Sequence, residues 1–256
     1  MELLRTAGRP PFTSAHRGHS AGAPENTLAA LAAAWRAGAT VAEIDVRMTR
    51  DGELVLLHDP TLDRTTTGHG PVSARTLAEL AELDAGGWFG AAFAGEPIPR
   101  LDEVLDWARG KIGLLVELKN FPERDPRYIP RVIETFRALD AAGEAAIASF
   151  DHRVLVEIHA REPDWPLEMI YNARLADPVA AARACAASLV SLEPDFCLAE
   201  DVAALHGAGL SVLTTVLSLD HALHLDEMGV DFIEADDAGL LQKAVARNQS
   251  GTGVPM

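Results

Sequence analysis

Short runs of β-type residues alternate with longer Ala- and Leu-rich amphipathic stretches along most of the chain, and few folds accommodate that alternation. Parallel strands cannot be joined by tight turns, because each connection has to travel back along the sheet, usually as a helix. Candidate strands span Phe12–His16, Val41–Thr49, Ile112–Lys119, Ala145–Phe150, Leu167–Tyr171, Ser188–Leu192, Leu210–Val216 and Asp231–Ala235. Eight parallel strands in 256 residues predict one closed (β/α)8 barrel, a form that takes about 250 residues.

The punctuation between strands agrees. Pro24 and Asn26 precede a helical run from Thr27 to Ala37, and Gly38 stands where a left-handed C-terminal cap belongs. Asp151 and Ser218 are placed to cap the helices that follow Phe150 and Leu217. The alternation fails once: between His58 and Leu101 the chain is Gly- and Pro-rich, with only a short helical patch at Thr76–Leu83. A connection of that length is expected to be a lid or substrate-facing module, so we read a single barrel domain over 1–246 carrying an inserted module at 59–100. The final residues, 247–256, have little to bury and are expected to form a disordered tail.

Hydrophobic residues make up 48% of the chain and charged ones 23%, enough for both a core and a surface. The formal net charge of −16 repels phosphate backbones and anionic lipid surfaces, which argues against nucleic acid as a partner. An anionic substrate would then have to meet locally concentrated positive charge. No stretch has the apolar length of a signal-peptide core or a membrane span, so stable membrane insertion is not expected and a cytoplasmic location is. Cys185 and Cys197 have no metal-type spacing and read as ordinary buried thiols.

The chemistry concentrates at strand ends. In Val41–Arg47 the two-residue period puts Glu43, Asp45 and Arg47 on one face, and two neighbouring inward carboxylates call for a cation between them. In Ile112–Lys119 the same period sets Glu117 and Lys119 opposite Leu114, Val116 and Leu118. His16 and Arg17 close the first strand, and active sites of such barrels lie at the C-terminal strand ends. Asp51-Gly52 reads as a two-residue hairpin turn, and if Arg50 faces Glu53 across it, Asp45 stands opposite His58. Glu43, Asp45 and Glu117 are an all-oxygen set suited to one divalent cation, Mg²⁺ or Ca²⁺. Arg17 and Lys119 are the candidate ligands of a substrate phosphate, and His16 and His58 the candidate acid and base for displacement at phosphorus.

Glu25 and Asn26 are expected to tie down the first loop and cap its helix. Arg47 fits a strand-end ion pair with Glu53 or Asp59 equally well as a role in the site. Phe150, Trp88 and Thr214 are candidates for lining a substrate cleft.

The motifs AHRG (Ala15–Gly18), PENT (Pro24–Thr27), EIDV (Glu43–Val46), HD (His58, Asp59) and VELK (Val116–Lys119) together resemble the glycerophosphodiester phosphodiesterase family. The resemblance continues through LDAGGWFG and IPRLDEVL in the insertion to ASFDH at Ala148–His152. It implies a TIM barrel of the phosphodiesterase type with a small insertion after the second-strand hairpin. It implies Glu43, Asp45 and Glu117 as metal ligands, His16 and His58 as the acid/base pair, and small glycerophosphodiesters as substrates, cleaved to glycerol 3-phosphate and an alcohol. The C-terminal half departs from the family. Thr214-Thr215-Val216-Leu217 stands where the family commonly has Trp-Thr-Val-Asn, and Ala235-Asp236-Asp237 where it often has Thr-Asp and then Pro. The alternatives are a related enzyme acting on a lysophospholipid or another phosphodiester, and a barrel that binds a phosphate ester without cleaving it.

Overall fold

The structure is a computed structural model and describes residues 9–122 and 124–249. Its strands are β1 (Phe12–Ala15), β2 (Val41–Met48), β3 (Leu54–Leu56), β4 (Gly113–Leu118), β5 (Ala145–Ser149), β6 (Leu167–Tyr171), β7 (Leu189–Leu192), β8 (Ser211–Thr215) and β9 (Phe232–Ala235). The helices between them are α1 (Leu28–Ala37), α2 (Leu77–Leu80), α3 (Leu101–Ala108), α4 (Tyr128–Leu139), α5 (His152–His159), α6 (Pro178–Ala184), α7 (Ala199–Gly207), α8 (Leu219–Glu227) and α9 (Ala238–Gln249). All strand pairings except β2–β3 are parallel, and β1 pairs with both β9 and β2, which closes the sheet. The fold is an eight-stranded parallel barrel ringed by helices, a TIM barrel, with β3 added antiparallel to β2.

Every expected strand is present, with no end shifted by more than one residue. The period-two pattern explains why. On β2 and β4 the residues Ala42, Ile44, Val46, Leu114, Val116 and Leu118 join the large core beneath the helices, while the alternate residues point into the barrel. The floor of the barrel interior is apolar, built from Val41, Leu115, Ala146, Leu189, Leu213 and Phe232, with the Phe12 ring 4.8 Å from that of Phe232. Polar side chains in the barrel are therefore confined to the layers above this plug, toward the C-terminal strand ends.

Helix α1 is capped as its sequence suggests at one end only. Gly38 has φ +89° and closes the C-terminus, but the N-cap is Thr27, whose hydroxyl accepts from the Ala30 amide at 3.2 Å; Asn26 is not the cap. Asp151 and Ser218 cap α5 and α8 as expected.

The hairpin register differs from expectation. Thr49 N–H bonds the Glu53 carbonyl at 2.9 Å around a three-residue turn in which Gly52 has φ +87°, so Val46 faces Leu56 and Asp45 stands opposite Leu57, not His58. The Thr49 side chain holds this longer loop by accepting from Glu53 N and donating to Asp51. His58 nonetheless reaches the rim, because the chain leaves the ladder after β3.

The segment after β3 packs around its own apolar cluster of Val55, Leu57, Leu62, Val72, Leu80, Ala85 and Ile98, separate from the main core. The expected helical patch there is the single turn α2, closed by a capping box between Thr76 and Glu79. At the C-terminal end α9 runs to Gln249, and the remainder of the expected tail lies outside the described residues.

Candidate active site

The loop leaving β1 builds one wall of the site from strained backbone. Arg17 and Gly18 have φ of +55° and +80°, and a Cβ on Gly18 would lie 2.7 Å from the Ala30 carbonyl carbon, so only glycine fits there. The turn aims the Arg17 amide at Glu43 Oε2 (3.0 Å) and brings its guanidinium to Asp45 (3.3 Å) and Glu25 (2.9 Å). Asn26, also left-handed at φ +58°, is buried and grips Asp45 twice: its amide donates to Oδ2 at 2.8 Å, and its carbonyl accepts from the Asp45 backbone N–H at 3.0 Å. Its role is to fix a carboxylate, which the capping expectation missed.

Glu43, Asp45 and Glu117 offer carboxylate oxygens that all lie within 4.8 Å of one another, and all three residues are buried. Three buried acids this close cannot all be left bare. Lys119 supplies one counter-charge, its Nζ lying 3.1 Å from Asp45 and 2.5 Å from Glu117, and Arg17 supplies another. The acids divide accordingly. Burial pushes the Asp45 carboxyl up, but Lys119, Arg17, His58 and the Asn26 bond together hold it below its ordinary range. Burial and the Asp45 charge raise Glu43 well above its usual value, and burial raises Glu117 despite Lys119. Glu43 Oε1 is buried without a hydrogen-bond partner. An orphaned carboxylate oxygen, raised carboxyls and an all-oxygen donor set are what a hard divalent cation would satisfy, so the residues fit such an ion.

Each candidate histidine is tied to a carboxylate through Nδ1: His16 to Asp236 and His58 to Asp59, both at 2.7 Å. A carboxylate only accepts, so Nδ1 carries the proton and Nε2 is left for chemistry. The two rings titrate in opposite directions. Burial lowers the His16 pKa, but the Asp236 bond and the Glu43 and Glu234 charges outweigh it and raise it to about 9. For His58 burial prevails, helped by Lys119 and Arg17, and the pKa falls below its ordinary value in spite of Asp45 and Asp59.

Of the remaining candidates, Phe150 is half exposed at the end of β5, with Lys119 Nζ 5.7 Å from its ring centroid. Trp88 stands in the segment after β3, edge-on to Phe89, its indole N–H donating to the Ala85 carbonyl. Thr214 is not in the barrel mouth. It lies on the outward face of β8 with Val212 and Val216, fully buried, and donates to the Leu192 carbonyl at 2.8 Å; the exposed neighbour at the strand end is Thr215. Arg47 donates to the carbonyls of His58, Phe121 and Lys119, pinning the loops after β3 and β4.

Four residues the sequence reading passed over belong to the neighbourhood. Glu168 and Glu234 are buried in the barrel, both pushed up by burial; Glu234 accepts from Ser14 Oγ at 2.7 Å, and Glu168 Oε2 has no partner. Each is a lone acid out of phase with apolar neighbours on a short strand, the same signal that exposed Glu43 and Glu117. Asp236, read only as a departure from a familiar motif, is the partner of His16. Arg64 in the segment after β3 meets both Glu25 and Asp59.

The protein-family model described as "Glycerophosphoryl diester phosphodiesterase family" matches residues 16–240. A glycerophosphodiester phosphodiesterase of Caldanaerobacter subterraneus subsp. tengcongensis is 39% identical over 165 residues, 64% of this chain and 68% of that protein. The protein YhdW of Bacillus subtilis is 50% identical over 113 residues, 44% of this chain and 46% of its own length. The aligned stretches thus span from about half to two thirds of these curated relatives. Among solved structures, a phosphodiesterase from Oleispira antarctica in complex with the product sn-glycerol-3-phosphate superposes with a TM-score of 0.86 at 31% identity, covering 93% of this chain and 97% of that one. A glycerophosphodiester phosphodiesterase from Agrobacterium tumefaciens does so with 0.82 at 31% identity, over 91% and 99% of the two chains.

Proposed function

The chain belongs to the glycerophosphoryl diester phosphodiesterase family, and from that premise we propose that it hydrolyses glycerophosphodiesters to glycerol 3-phosphate and an alcohol, using one Mg²⁺ or Ca²⁺ held by Glu43, Asp45 and Glu117. The observation that carries this reading is the buried acidic triad with its unpartnered Glu43 oxygen, set among two carboxylate-anchored histidines and two cations. The product complex of the Oleispira relative supports the same substrate class.

When bound, a divalent cation would polarise a phosphoryl oxygen and offset the negative charge gathering on the phosphorus centre. The chain's own groups supply the rest. Arg17 and Lys119 hold non-bridging oxygens of the phosphodiester. His58, neutral at physiological pH because burial depresses its pKa, takes the proton from the attacking hydroxyl through Nε2. His16, protonated up to about pH 9, returns a proton to the oxygen of the departing alcohol as its P–O bond breaks. Phe150 offers an apolar face for the alcohol beside Lys119. No helix among the described residues is long and apolar enough to cross a membrane; a cytoplasmic setting is part of this reading, supported by two free, buried cysteines.

The test is a panel of glycerophosphocholine, glycerophosphoethanolamine and a generic phosphodiester assayed with Mg²⁺ or Ca²⁺. Absence of alcohol release from all three rejects the reading. A second reading, a lysophospholipid as substrate, is favoured by exposed apolar side chains beyond the strand ends: Phe150 after β5, Phe196 and Leu198 after β7, and Leu217 (66% exposed) after β8. Faster turnover of a lysophospholipid than of its deacylated headgroup diester would select it.

A further inference from the structure

Arg64 stands outside every motif that drew attention to the site, yet its hydrogen bonds reach two carboxylates there. Its Nε and Nη2 donate to the two oxygens of Asp59 at 2.7 and 3.1 Å, and its Nη1 and Nη2 donate to the two oxygens of Glu25 at 2.6 and 2.8 Å. One planar guanidinium is thus forked between two carboxylates, a geometry that a flexible ammonium cannot reproduce. Each carboxylate leads inward. Asp59 Oδ1 is the partner of His58 Nδ1, and Glu25 Oε1 also takes the guanidinium of Arg17.

We propose that Arg64 is a positioning residue for His58: by locking Asp59 it fixes the imidazole in the Nδ1-protonated tautomer, and by gripping Glu25 it makes that tautomer depend on the seating of the segment after β3 against the first loop.

The physical need for such a lock is plain. Asp59 sits in a loop immediately after His58 and its side chain is 26% exposed, so a lone carboxylate there is free to turn toward water. An imidazole released from it drifts toward the opposite tautomer, in which Nε2 carries the proton and cannot accept one. His16 is anchored differently, through Asp236 at the end of β9 with support from Ser20, so the two rings are set by separate devices. Arg64 is itself 43% exposed but its partners Glu25 and Asp59 are only 12% and 26% exposed, so the tautomer, rather than the melting temperature, is what separates its effect on the ring from any effect on folding.

The inference rests on the proposed function for what His58 does, but its structural half can be read without turnover. In Mg²⁺-loaded protein labelled with ¹⁵N in its histidine rings, the His58 signals are assigned by their loss in His58→Gln. Wild type is expected to show His58 protonated at Nδ1, and Arg64→Gln a tautomer mixture weighted toward Nε2, with the His16 signals unmoved. In the diester assay kcat is expected to fall about tenfold or more, the order seen when an outer partner that orients a functional histidine is removed, with KM changing less. Retention of the wild-type His58 tautomer in Arg64→Gln overturns the proposal, as does unchanged kcat in a protein that turns over substrate. Should Arg64→Gln not fold, the same two criteria are read in Arg64→Lys, which keeps the charge but cannot fork. A wild-type protein with no activity on any diester defeats the proposed function while leaving the tautomer measurement to decide this one.

Discussion

His16 and His58 lie on opposite sides of the ordinary histidine pKa for reasons visible in their surroundings, and that separation carries a kinetic signature. Activity is expected to fall on the acid side as His58 takes up a proton below its usual value, and on the alkaline side as His16 loses its proton toward about pH 9. Either His16→Ala or His58→Ala should lower kcat by at least about a hundredfold and remove its own limb from the pH–rate profile. Two variants that each keep more than a tenth of wild-type kcat would sink both assignments. Glu168 gives a test of the barrel interior that is independent of catalysis. Its folded pKa is raised, so the carboxyl holds its proton in the native state and is released in the unfolded one, and stability is lost as pH climbs above the unfolded value until the folded one is passed. Glu168→Gln keeps the shape, removes this penalty, and is expected to flatten the decline in stability measured by urea unfolding between pH 4 and neutrality. An unaltered slope would mean that Oε2 finds a partner the fold does not provide.

At the scale of elements, the loop from β1 to α1 is the least forgiving. Gly18 combines a left-handed backbone with a 2.7 Å approach of any Cβ to Ala30, and its neighbour Arg17 delivers an amide to Glu43. Gly18→Ala should cost at least about 1 kcal/mol from backbone alone, more from the clash, and displace Arg17 so that KM rises; equal stability and KM by chemical denaturation and kinetics would refute it. The same loop shows what was legible in the sequence. Strands and caps could be read because their signals are local: alternation on β2 and β4 separates Glu43, Asp45, Glu117 and Lys119 from Ile44, Val46, Val116 and Leu118 without knowing the fold. The hairpin register could not, because it turned on whether Gly52 closed a two- or a three-residue turn, and Thr49 decided that with its side chain. Thr214 was misplaced for a related reason, since one residue of phase on β8 moves a side chain from the mouth to the helix layer. Partners such as Asp236 for His16, 220 positions away, have no local signature at all.

Across the whole molecule, the apolar floor and the helix-covered sheet leave the polar layers of the barrel as the place where charge must be balanced, in a chain whose net charge is −16. Such a chain attracts divalent cations at long range, but only a site that compensates a buried deficit binds one tightly enough to be linked to folding. The triad has the makings of that site: Lys119 and Arg17 serve three acids, and Glu43 keeps an unpartnered oxygen. A cation bound to the native state alone stabilises it by about 2.7 kcal/mol at roughly a hundred times its Kd, which for a domain of this size raises Tm by roughly 5–10 °C. Titrating Mg²⁺ or Ca²⁺ into chelator-treated protein during thermal unfolding is therefore expected to raise Tm with the logarithm of concentration. Glu43→Gln separates this from general ionic strength. It retains an oxygen for the Arg17 amide and removes a carboxyl that burial and Asp45 have forced upward, so the metal-free variant should melt higher than metal-free wild type. The same change takes away a proposed ligand, so the cation-dependent rise should shrink or vanish. A variant that melts lower without metal, or that keeps the full rise with it, would show that Glu43 is not the residue on which the site turns.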